Sequence, residues 1–289
     1  MSNPSDVPPF DPERYKSTTR AQWDTAAKAW HEWAPTLQHW LGTATELMLD
    51  MAGVKPGSRV LDVAAGAGDQ TLHAASRVGP NGLVLATDIS SKILEFAEQN
   101  ALSKGYKNVQ TRVLDGENLD VEPGSFDAVI SRVGLIYFPD QHKAITGIRK
   151  ALKLGGRLGA IVYSTADRNQ FFSIPVSIIR RRANLPPAAP GQPGPFSLGG
   201  DGVLRDAFSR AGFKDIEEQR VPAPLKMKSA AECLRFEKES FGALHTMLAG
   251  LDEGGKAAAW REIEIELQKF ESGSSFEGPC ELIVIAGSA

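Results

Sequence analysis

The middle of the chain alternates short apolar runs with longer stretches whose apolar residues recur at helical spacing. A short apolar run between turn residues is typical of a strand buried on both faces. A repeat of three or four residues is typical of a helix that packs on one side. Regular alternation of the two predicts a parallel sheet with helices on both faces. We predict strands at residues 59–63, 83–86, 109–114, 126–130 and 158–163, with helices at 71–78, 90–105 and 139–152.

Two stretches with apolar residues at helical spacing precede this core, and a less regular region follows it. Pro35 separates these two predicted helices, because proline disrupts a helix interior. Residues 263–266 alternate like a strand within a longer helical pattern, so the last predicted helix has a competing interpretation. Beyond residue 163 we predict helices at 171–183, 202–211, 230–249 and 256–270, and strands at 213–221 and 280–285.

These patterns divide the chain into four segments. Residues 1–54 form an N-terminal arm with covering helices, and residues 55–165 form an α/β core. Residues 166–279 hold further helices, a strand and the proline-rich segment 185–200. We expect that segment to be a lid over the substrate pocket, with a dimer contact or a linker as alternatives. Residues 280–289 form the final strand.

Composition narrows the classes of function. The formal net charge of −3 gives no sign of a nucleic-acid partner, because such domains usually carry a clear basic excess. Cys233 and Cys280 lie far apart, which argues against a disulfide scaffold and against a thiolate metal site. No apolar run approaches the roughly 20 residues of a membrane span. We therefore expect a cytoplasmic protein that binds no metal. A homodimer is one assembly that the sequence allows.

A turn of small residues follows the first predicted strand. Residues 64–68 carry little or no side chain, so a ligand can approach their backbone closely. A dinucleotide fingerprint would need a third glycine, and Thr71 occupies that position. Asp69 opens the following helix, where an acid would repel a diphosphate. The turn therefore favours a ligand without phosphates, and a plain strand-to-helix turn is the alternative.

Three carboxylates follow successive predicted strands. Asp62, Asp88 and Asp115 stand at or just beyond strand ends that meet in one crevice of an open parallel sheet. Asp88 lies about 20 residues past the turn, the spacing at which a carboxylate meets two ribose hydroxyls. Asp115, with the amides of Gly116 and Glu117, is placed to read an adenine edge, and Asp62 to meet an ammonium group. The pattern indicates a nucleoside with a cationic tail, although any of these acids could instead cap a helix.

Residues 58–163 resemble the class I S-adenosylmethionine-dependent methyltransferases, in particular the methyltransferase type 11 group and the ubiquinone/menaquinone-biosynthesis methyltransferases. The resemblance lies in five motifs in order: VLDVAAGAGDQ, TDIS, LDGENL, SFDAVISRVGLIYFPD and KALKLGGRLGAIVYS. Ala64 stands where the family's first glycine is usual. The resemblance implies a doubly wound, Rossmann-like α/β sheet, mostly parallel with a reversed last strand, plus N-terminal helices and a helical and proline-rich lid insertion.

The same resemblance implies a reaction and a set of binding residues. The cofactor would be S-adenosyl-L-methionine, with S-adenosyl-L-homocysteine as product. The reaction would be direct in-line methyl transfer to a small molecule, with aromatic, quinone-like or phenol-like acceptors favoured. The residues assigned to the cofactor, from the strand ends and from the motifs, are Asp62, Ala64, Gly66, Gly68, Gln70, Asp88, Ile89, Asp115, Gly116, Glu117, Ser131 and Arg132.

Candidates for the acceptor side lie outside the five motifs or at their margin. Trp23, Trp30 and Trp33 lie in the helix predicted before Pro35, and we expect this helix to cover the cofactor. His31 in the same helix is a candidate catalytic base, because the unperturbed pKa of histidine lies near neutrality. Tyr137 follows the fourth strand, near the expected acceptor, and is the second catalytic candidate. Core packing is the alternative for every one of these side chains.

Two further questions stay open in the sequence. The three arginines at 180–182 could hold an anionic group of the acceptor or form a solvated helix end. An NAD(P)-dependent oxidoreductase would use a similar sheet, although the missing third glycine and Asp69 count against it. A non-catalytic S-adenosylmethionine-binding protein would keep the three acids without acceptor chemistry.

Overall fold

The computed structural model describes residues 10–187 and 192–289, and it contains the predicted alternation of strands and helices. The helices are α1 Pro12–Glu32, α2 Ala34–Met51, α3 Asp69–Val78, α4 Ser91–Ser103, α5 Gln141–Ala151, α6 Gln170–Arg182, α7 Val203–Arg210, α8 Ala230–Ser240, α9 Gly242–Leu248 and α10 Glu253–Leu267. The strands are β1 Arg59–Val63, β2 Leu83–Asp88, β3 Val109–Val113, β4 Phe126–Arg132, β5 Leu152–Tyr163, β6 Lys214–Pro222, β7 Leu225–Met227, β8 Glu271–Ser272, β9 Ser275–Gly278 and β10 Glu281–Ser288.

Among the described residues, seven strands form one sheet in the order β3-β2-β1-β4-β5-β10-β6. Strands β1 to β5 pair in parallel. Strand β10 runs antiparallel to both β5 and β6, which it separates. The prediction of a mostly parallel sheet with a reversed last strand is therefore confirmed.

Helices cover both faces of the sheet, as two glycines on neighbouring strands show. A Cβ on Gly159 of β5 would lie 2.9 Å from the Met48 carbonyl oxygen, so this position faces α2. Gly287 of β10 pairs with Leu158, the residue before Gly159, and a Cβ there would lie 3.1 Å from Phe213 Cβ and 3.3 Å from Phe208 of α7. Successive strand residues point to opposite faces. Helices α2 and α7 therefore lie on opposite faces.

Several predicted boundaries move for local reasons. Strand β5 begins at Leu152 rather than at residue 158, and its pairing with β4 shifts register around Gly155 and Gly156. These glycines lie within the strand, at its irregularity, and do not separate it from α5. The helix predicted at 230–249 is two helices, α8 and α9, because Phe241 between them has a non-helical ψ of 81°.

A second, three-stranded sheet in the order β7-β9-β8 was not predicted. Its strands have three, four and two residues, too short for an apolar alternation to be visible. By contrast, the competing strand interpretation of residues 263–266 is wrong, since they lie within α10.

The helices outside the sheet sit over one another and over α2. The Trp33 ring, between α1 and α2, meets the Phe236 ring of α8 edge-on at 5.2 Å.

In the proline-rich segment, Phe196 lies 6.3 Å from the Tyr163 ring and the Gly194 amide donates to the Ile136 carbonyl at 2.8 Å. That part is thus fixed against the end of β5, while residues 188–191 of the expected lid lie outside the described residues.

In the part of the chain that the structure describes, no helix combines the length and apolarity needed to cross a bilayer.

Candidate active site

The small residues after β1 form a tight turn that presents its backbone at the carboxyl edge of the sheet. Gly66 and Gly68 have φ angles of 57° and 89°, a left-handed conformation that glycine adopts without strain. A Cβ on Gly68 would lie 2.9 Å from the Ala97 Cβ, so glycine at this position lets α4 approach the turn. The turn therefore offers backbone groups, rather than side chains, to a ligand.

Ala64 is also left-handed, with a φ of 59°, which explains why glycine is usual at this position of the family motif. A Cβ on Gly134, in the loop after β4, would lie 2.5 Å from the Ala64 Cβ. The two loops therefore touch, and Gly134 leaves the space that the Ala64 methyl group fills. The departure from the family pattern at residue 64 is accommodated by a glycine on the neighbouring loop.

Asp62 lies beneath the turn instead of facing a ligand. It is fully buried, and its two carboxylate oxygens accept hydrogen bonds from Thr71 Oγ1 at 2.6 Å and Gln70 Nε2 at 3.2 Å. Burial raises the pKa of this carboxyl to about 7, although both donors oppose the shift. The expected contact of Asp62 with an ammonium group is therefore not what the geometry favours. Asp62 holds the start of α3 against β1, and so positions the turn.

Asp88, the last residue of β2, spans from the turn to the start of α4. Its Oδ2 accepts from the Gly66 amide and its Oδ1 from the Ser90 amide, both at 3.0 Å. Burial raises the pKa of the Asp88 carboxyl to about 6, and these amides partly offset the effect. A carboxylate oxygen has two lone pairs. Each oxygen of Asp88 thus retains one acceptor position for a ribose hydroxyl.

Asp115 and Glu117 both form ion pairs with a lysine of α1, which were not predicted. Lys16 Nζ of α1 lies 2.9 Å from Asp115 Oδ2 and 2.6 Å from Glu117 Oε2. Burial alone would raise the pKa of Asp115, but the Lys16 ammonium and the Glu117 and Asn118 donors hold it below its ordinary value. The other oxygen of Glu117 accepts from the Asp140 amide at 2.7 Å. Glu117 is thereby committed to protein partners.

Arg132, at the end of β4, neutralises the acid at the start of α3. Its Nη1 donates to Asp69 Oδ2 at 2.6 Å and to Thr45 Oγ1 at 3.0 Å. The expectation that Asp69 repels a diphosphate is weakened accordingly, because its charge is paired. The neighbouring Ser131 is fully buried, and its Oγ has no hydrogen-bond partner among the described residues.

A cavity of about 320 Å³ connects these groups to an aromatic chamber. The chamber is the part of the wall formed by Trp23, Trp30, Tyr137, Tyr163 and Phe241. Of the residues assigned to the cofactor, those in the wall are Ala64, Gly66, Gln70, Asp88, Ile89, Asp115, Gly116 and Arg132. Those outside it are Asp62, Gly68, Glu117 and Ser131.

The two catalytic candidates have different positions. Tyr137 lies in the chamber with its ring edge-on to Trp23 at 5.7 Å. Burial raises the pKa of Tyr137 above its ordinary value, so the hydroxyl stays protonated at neutral pH and can donate a hydrogen bond. His31 is not in the cavity wall, and its ring stacks on Phe96 at 4.7 Å. Its expected role as a base is therefore not supported.

The three arginines at 180–182 do not reach the cavity. Arg181 and Arg182 form ion pairs with Glu262 of α10, and Arg180 donates to the Pro186 carbonyl oxygen. The alternative interpretation, a helix end on the surface, is the one the structure favours over an anion site. These contacts tie the end of α6 to α10.

Sequence reasoning missed Lys16, Tyr163 and Phe241. Tyr163 ends β5, so the rule that selected acids at strand ends would have selected it too, had tyrosine been considered. Phe241 lies at the break between α8 and α9, and Lys16 lies in α1. Nothing local in the sequence indicates that these two side chains reach the crevice.

A family model described as a methyltransferase domain matches residues 54–176 of the chain. The ubiquinone/menaquinone biosynthesis C-methyltransferase UbiE of Ectopseudomonas mendocina is 38% identical over 117 residues, which are 40% of this chain and 46% of that protein. Residues 54–176 form a class I S-adenosylmethionine-dependent methyltransferase domain. The chain spans about half the length of the curated relatives it matches.

Solved structures share the fold of this methyltransferase domain and its flanking elements. The YcgJ protein of Bacillus subtilis has a TM-score of 0.56 at 21% identity, covering 86% of this chain and 98% of that chain. Phosphoethanolamine N-methyltransferase 2 of Haemonchus contortus, solved with S-adenosyl-L-methionine, has a TM-score of 0.53 at 22% identity, covering 85% and 52%. At these identities the likeness establishes architecture.

The residues of the methyltransferase domain fit the cofactor that defines its class. Asp88 has one acceptor position left on each oxygen, as two ribose hydroxyls require. Ile89 and Phe138 supply apolar surface in the same wall, and a Cβ on Gly116 would lie 2.4 Å from the Phe138 ring. A flat base therefore has two apolar neighbours and no side chain at residue 116 to obstruct it.

Proposed function

We propose that the protein transfers a methyl group from S-adenosyl-L-methionine to a small, uncharged acceptor with an aromatic, quinone-like or phenol-like ring. One observation carries the proposal. The wall of a single cavity includes both Asp88, to which we assign the ribose, and the aromatic chamber. We infer that a donor bound at Asp88 directs its reactive methyl group toward an acceptor in the chamber.

The charge of the wall supports an uncharged acceptor. Among the described wall residues from α1, α2 and the α8–α9 break, Lys16 is the one charged side chain. Lys16 is already paired with Asp115 and Glu117. These three elements therefore offer an ionised acceptor group no unpaired charge, and removing such a group from water without a partner costs several kcal/mol. Flat apolar rings lose little on entering such a chamber and gain aromatic contacts.

The cofactor, when bound, supplies an electrophilic methyl group on a sulfonium, and the remaining task of the protein is alignment. Trp30 packs against both Trp23 and Phe241, with ring centroids 5.5 Å and 6.1 Å apart, and we expect these rings to limit the access of water to a bound acceptor. Aromatic faces also tolerate a nearby cation. The protonated Tyr137 hydroxyl can donate to an oxygen on the acceptor and so fix its orientation.

The curated relatives point to the same acceptor chemistry. UbiE proteins of several bacteria are named for C-methylation in ubiquinone and menaquinone biosynthesis, and their similarity covers 40 to 42% of this chain. Three of the five chamber residues, Trp23, Trp30 and Phe241, lie outside the methyltransferase domain at 54–176. We therefore extend ring methylation to this protein as part of the proposal, with a cytoplasmic small molecule, rather than a nucleic acid, as the acceptor.

The test has two steps. Calorimetry with S-adenosyl-L-methionine, S-adenosyl-L-homocysteine, NAD⁺ and NADP⁺ should show binding of the first two at micromolar concentrations and none of the nucleotides with a diphosphate. Mass spectrometry should then detect S-adenosyl-L-homocysteine and a methylated product with phenols or hydroquinones. Matched acceptors that carry a carboxylate should react at least tenfold more slowly. Cofactor binding without turnover on any ring acceptor would favour the non-catalytic alternative, and binding of NAD⁺ alone would favour the oxidoreductase.

A further inference from the structure

Lys16 of α1 reaches into the part of the cavity that is expected to hold the adenine. Its Nζ lies 2.9 Å from Asp115 Oδ2 and 2.6 Å from Glu117 Oε2, and its side chain is only 13% exposed. The side chain also belongs to the cavity wall. Two carboxylates and one ammonium thus meet at a position where water has little access, which makes their attraction stronger than that of a surface pair.

The hydrogen bonds of Asp115 show how closely Lys16 adjoins the base. Oδ2 accepts from Lys16 Nζ at 2.9 Å and from Asn118 Nδ2 at 2.7 Å, which uses both of its lone pairs. Oδ1 accepts from the Glu117 amide at 2.9 Å and keeps one lone pair. An adenine amino group can therefore bind Asp115 through Oδ1 while Lys16 stays in place. Lys16 and the base can occupy the same carboxylate together.

A second polar contact of α1 lies near the ribose-binding carboxylate. Ser90 Oγ hydrogen-bonds to Asp24 Oδ1 of α1, and the Ser90 amide donates to Asp88 Oδ1. The same helix contributes Trp23 and Trp30 to the aromatic chamber. Helix α1 therefore crosses the cavity from the adenine residues, past the ribose residue, to the acceptor chamber.

We propose that Lys16 is a cofactor-site residue whose ion pairs with Asp115 and Glu117 hold α1 across the bound cofactor, so that the helix must release before S-adenosyl-L-homocysteine can leave. This inference rests on the proposed function for the identity of the ligand, but it concerns binding rather than methyl transfer. Removing the ammonium leaves two adjacent, partly buried carboxylates without their cation, which favours separation of α1 from the sheet edge.

The experiment compares product release from the wild type and from Lys16→Met. Protein loaded with S-adenosyl-L-homocysteine is diluted rapidly, and dissociation is followed by tryptophan fluorescence, since two tryptophans line the cavity. We expect dissociation at least tenfold faster in Lys16→Met and within threefold of wild type in Lys16→Arg. Lys28→Met is the matched control, because Lys28 lies on α1, is 78% exposed and pairs with Glu32. Its release rate should stay within twofold of wild type.

We call the ion pairs of Lys16 with Asp115 and Glu117 the clasp of α1. Two further measurements distinguish loss of this clasp from a general loss of structure. Raising the salt concentration should accelerate release from the wild type and have a smaller effect on Lys16→Met, because the screened interaction is already absent. Glu117→Gln removes the same ion pair from the other side, and a double-mutant cycle with Lys16→Met should give less than additive effects on the release rate. If Lys16→Met fails to fold, Glu117→Gln alone should still speed release at least threefold.

Unchanged or slower release in both Lys16→Met and Glu117→Gln would overturn the clasp while leaving the proposed function intact. Slower release would mean that Lys16 competes with the base for Asp115. A wild-type protein that binds neither S-adenosyl-L-methionine nor its product would instead remove the proposed function, and the clasp with it.

Discussion

The three strand-end carboxylates have the same side-chain chemistry and three different environments. Asp62 is buried under the turn, Asp88 accepts two backbone amides at the cavity wall, and Asp115 pairs with Lys16. Burial raises the pKa of the first two, whereas the ammonium lowers that of the third. At the scale of the residue, all three carboxylates share a position at a strand end. The groups around each carboxylate decide its partners and the direction of its pKa shift.

Asp88 should make cofactor binding depend on pH. An ionised carboxylate can accept from both ribose hydroxyls, and burial raises the pKa of Asp88 to about 6. Lowering the pH through this value protonates the group, so affinity should fall by up to about tenfold per pH unit. Calorimetry between pH 5 and pH 8 measures the dependence.

Asp88→Asn is the variant that assigns this dependence. It should bind the cofactor at least tenfold more weakly at pH 8, equivalent to about 1.4 kcal/mol, with little pH dependence below that. Asp62, with a pKa of about 7, also titrates in this range. A slope that persists in Asp88→Asn would therefore assign the effect to Asp62 and the turn.

At the scale of the element, α1 decides the shape of the cavity. It supplies Lys16 beside Asp115 and Glu117, and Trp23 and Trp30 to the chamber. It is held by contacts to distant parts of the chain, including the hydrogen bond from Trp30 Nε1 to the Ser240 carbonyl oxygen at 3.0 Å. Helix α1 thus joins the methyltransferase domain to the helices that follow it, and acceptor specificity should be sensitive to its side chains.

Trp23→Ala should separate acceptor binding from cofactor binding. The Trp23 ring lies edge-on to Trp30 and Tyr137 in the chamber, so its removal should raise the KM for a ring acceptor about tenfold. The dissociation constant of S-adenosyl-L-homocysteine should change by less than threefold. Steady-state kinetics and calorimetry give the two values.

Trp260→Ala is the matched control for this change. Trp260 is also half-buried, but it lies on α10 outside the cavity wall, beside His245 at 5.5 Å and under Lys238. In Trp260→Ala, the KM for the ring acceptor and the dissociation constant of S-adenosyl-L-homocysteine should both stay near their wild-type values. An equal rise in KM for the two variants, or a loss of cofactor affinity in Trp23→Ala, would count against the assignment of the chamber.

At the scale of the whole molecule, buried carboxyl groups should make the ligand-free fold less stable as pH rises. Glu237 of α8 is fully buried, its Oε2 has no hydrogen-bond partner among the described residues, and burial raises its pKa well above the ordinary value. Above pH 4.5 the unfolded chain releases this proton while the fold keeps it. The unfolding free energy should therefore fall as pH rises, and this group alone contributes at most about 1.4 kcal/mol per pH unit.

Glu237→Gln keeps the shape and removes the titration. Denaturant unfolding at pH 5.5 and pH 7.5 should show a smaller loss of stability in the variant than in the wild type. Asp62 and Asp88, whose pKa values are also raised, act in the same direction and remain in both proteins. Parallel pH profiles would show that Glu237 is ionised in the fold.

The sequence by itself determined the sheet and the residues that line the cavity at the sheet edge. Apolar runs, the glycine turn and the acids at strand ends are local patterns, and the parallel sheet brings strand ends together whatever else the chain does. For that reason the order of residues along the chain is enough to place Asp88, Gly66 and Asp115 at one edge of the sheet. The same logic located Tyr137 just beyond β4.

The tertiary structure decided which side chains reach the cavity from outside the sheet. Lys16, Trp23 and Phe241 enter it because α1 and the α8–α9 break fold over the crevice, and such long-range packing leaves no periodic signal in the sequence. It also turned His31 onto Phe96 and Asp62 beneath the turn. Helix periodicity shows which face is apolar, but the neighbour that covers this face is chosen by packing between distant segments.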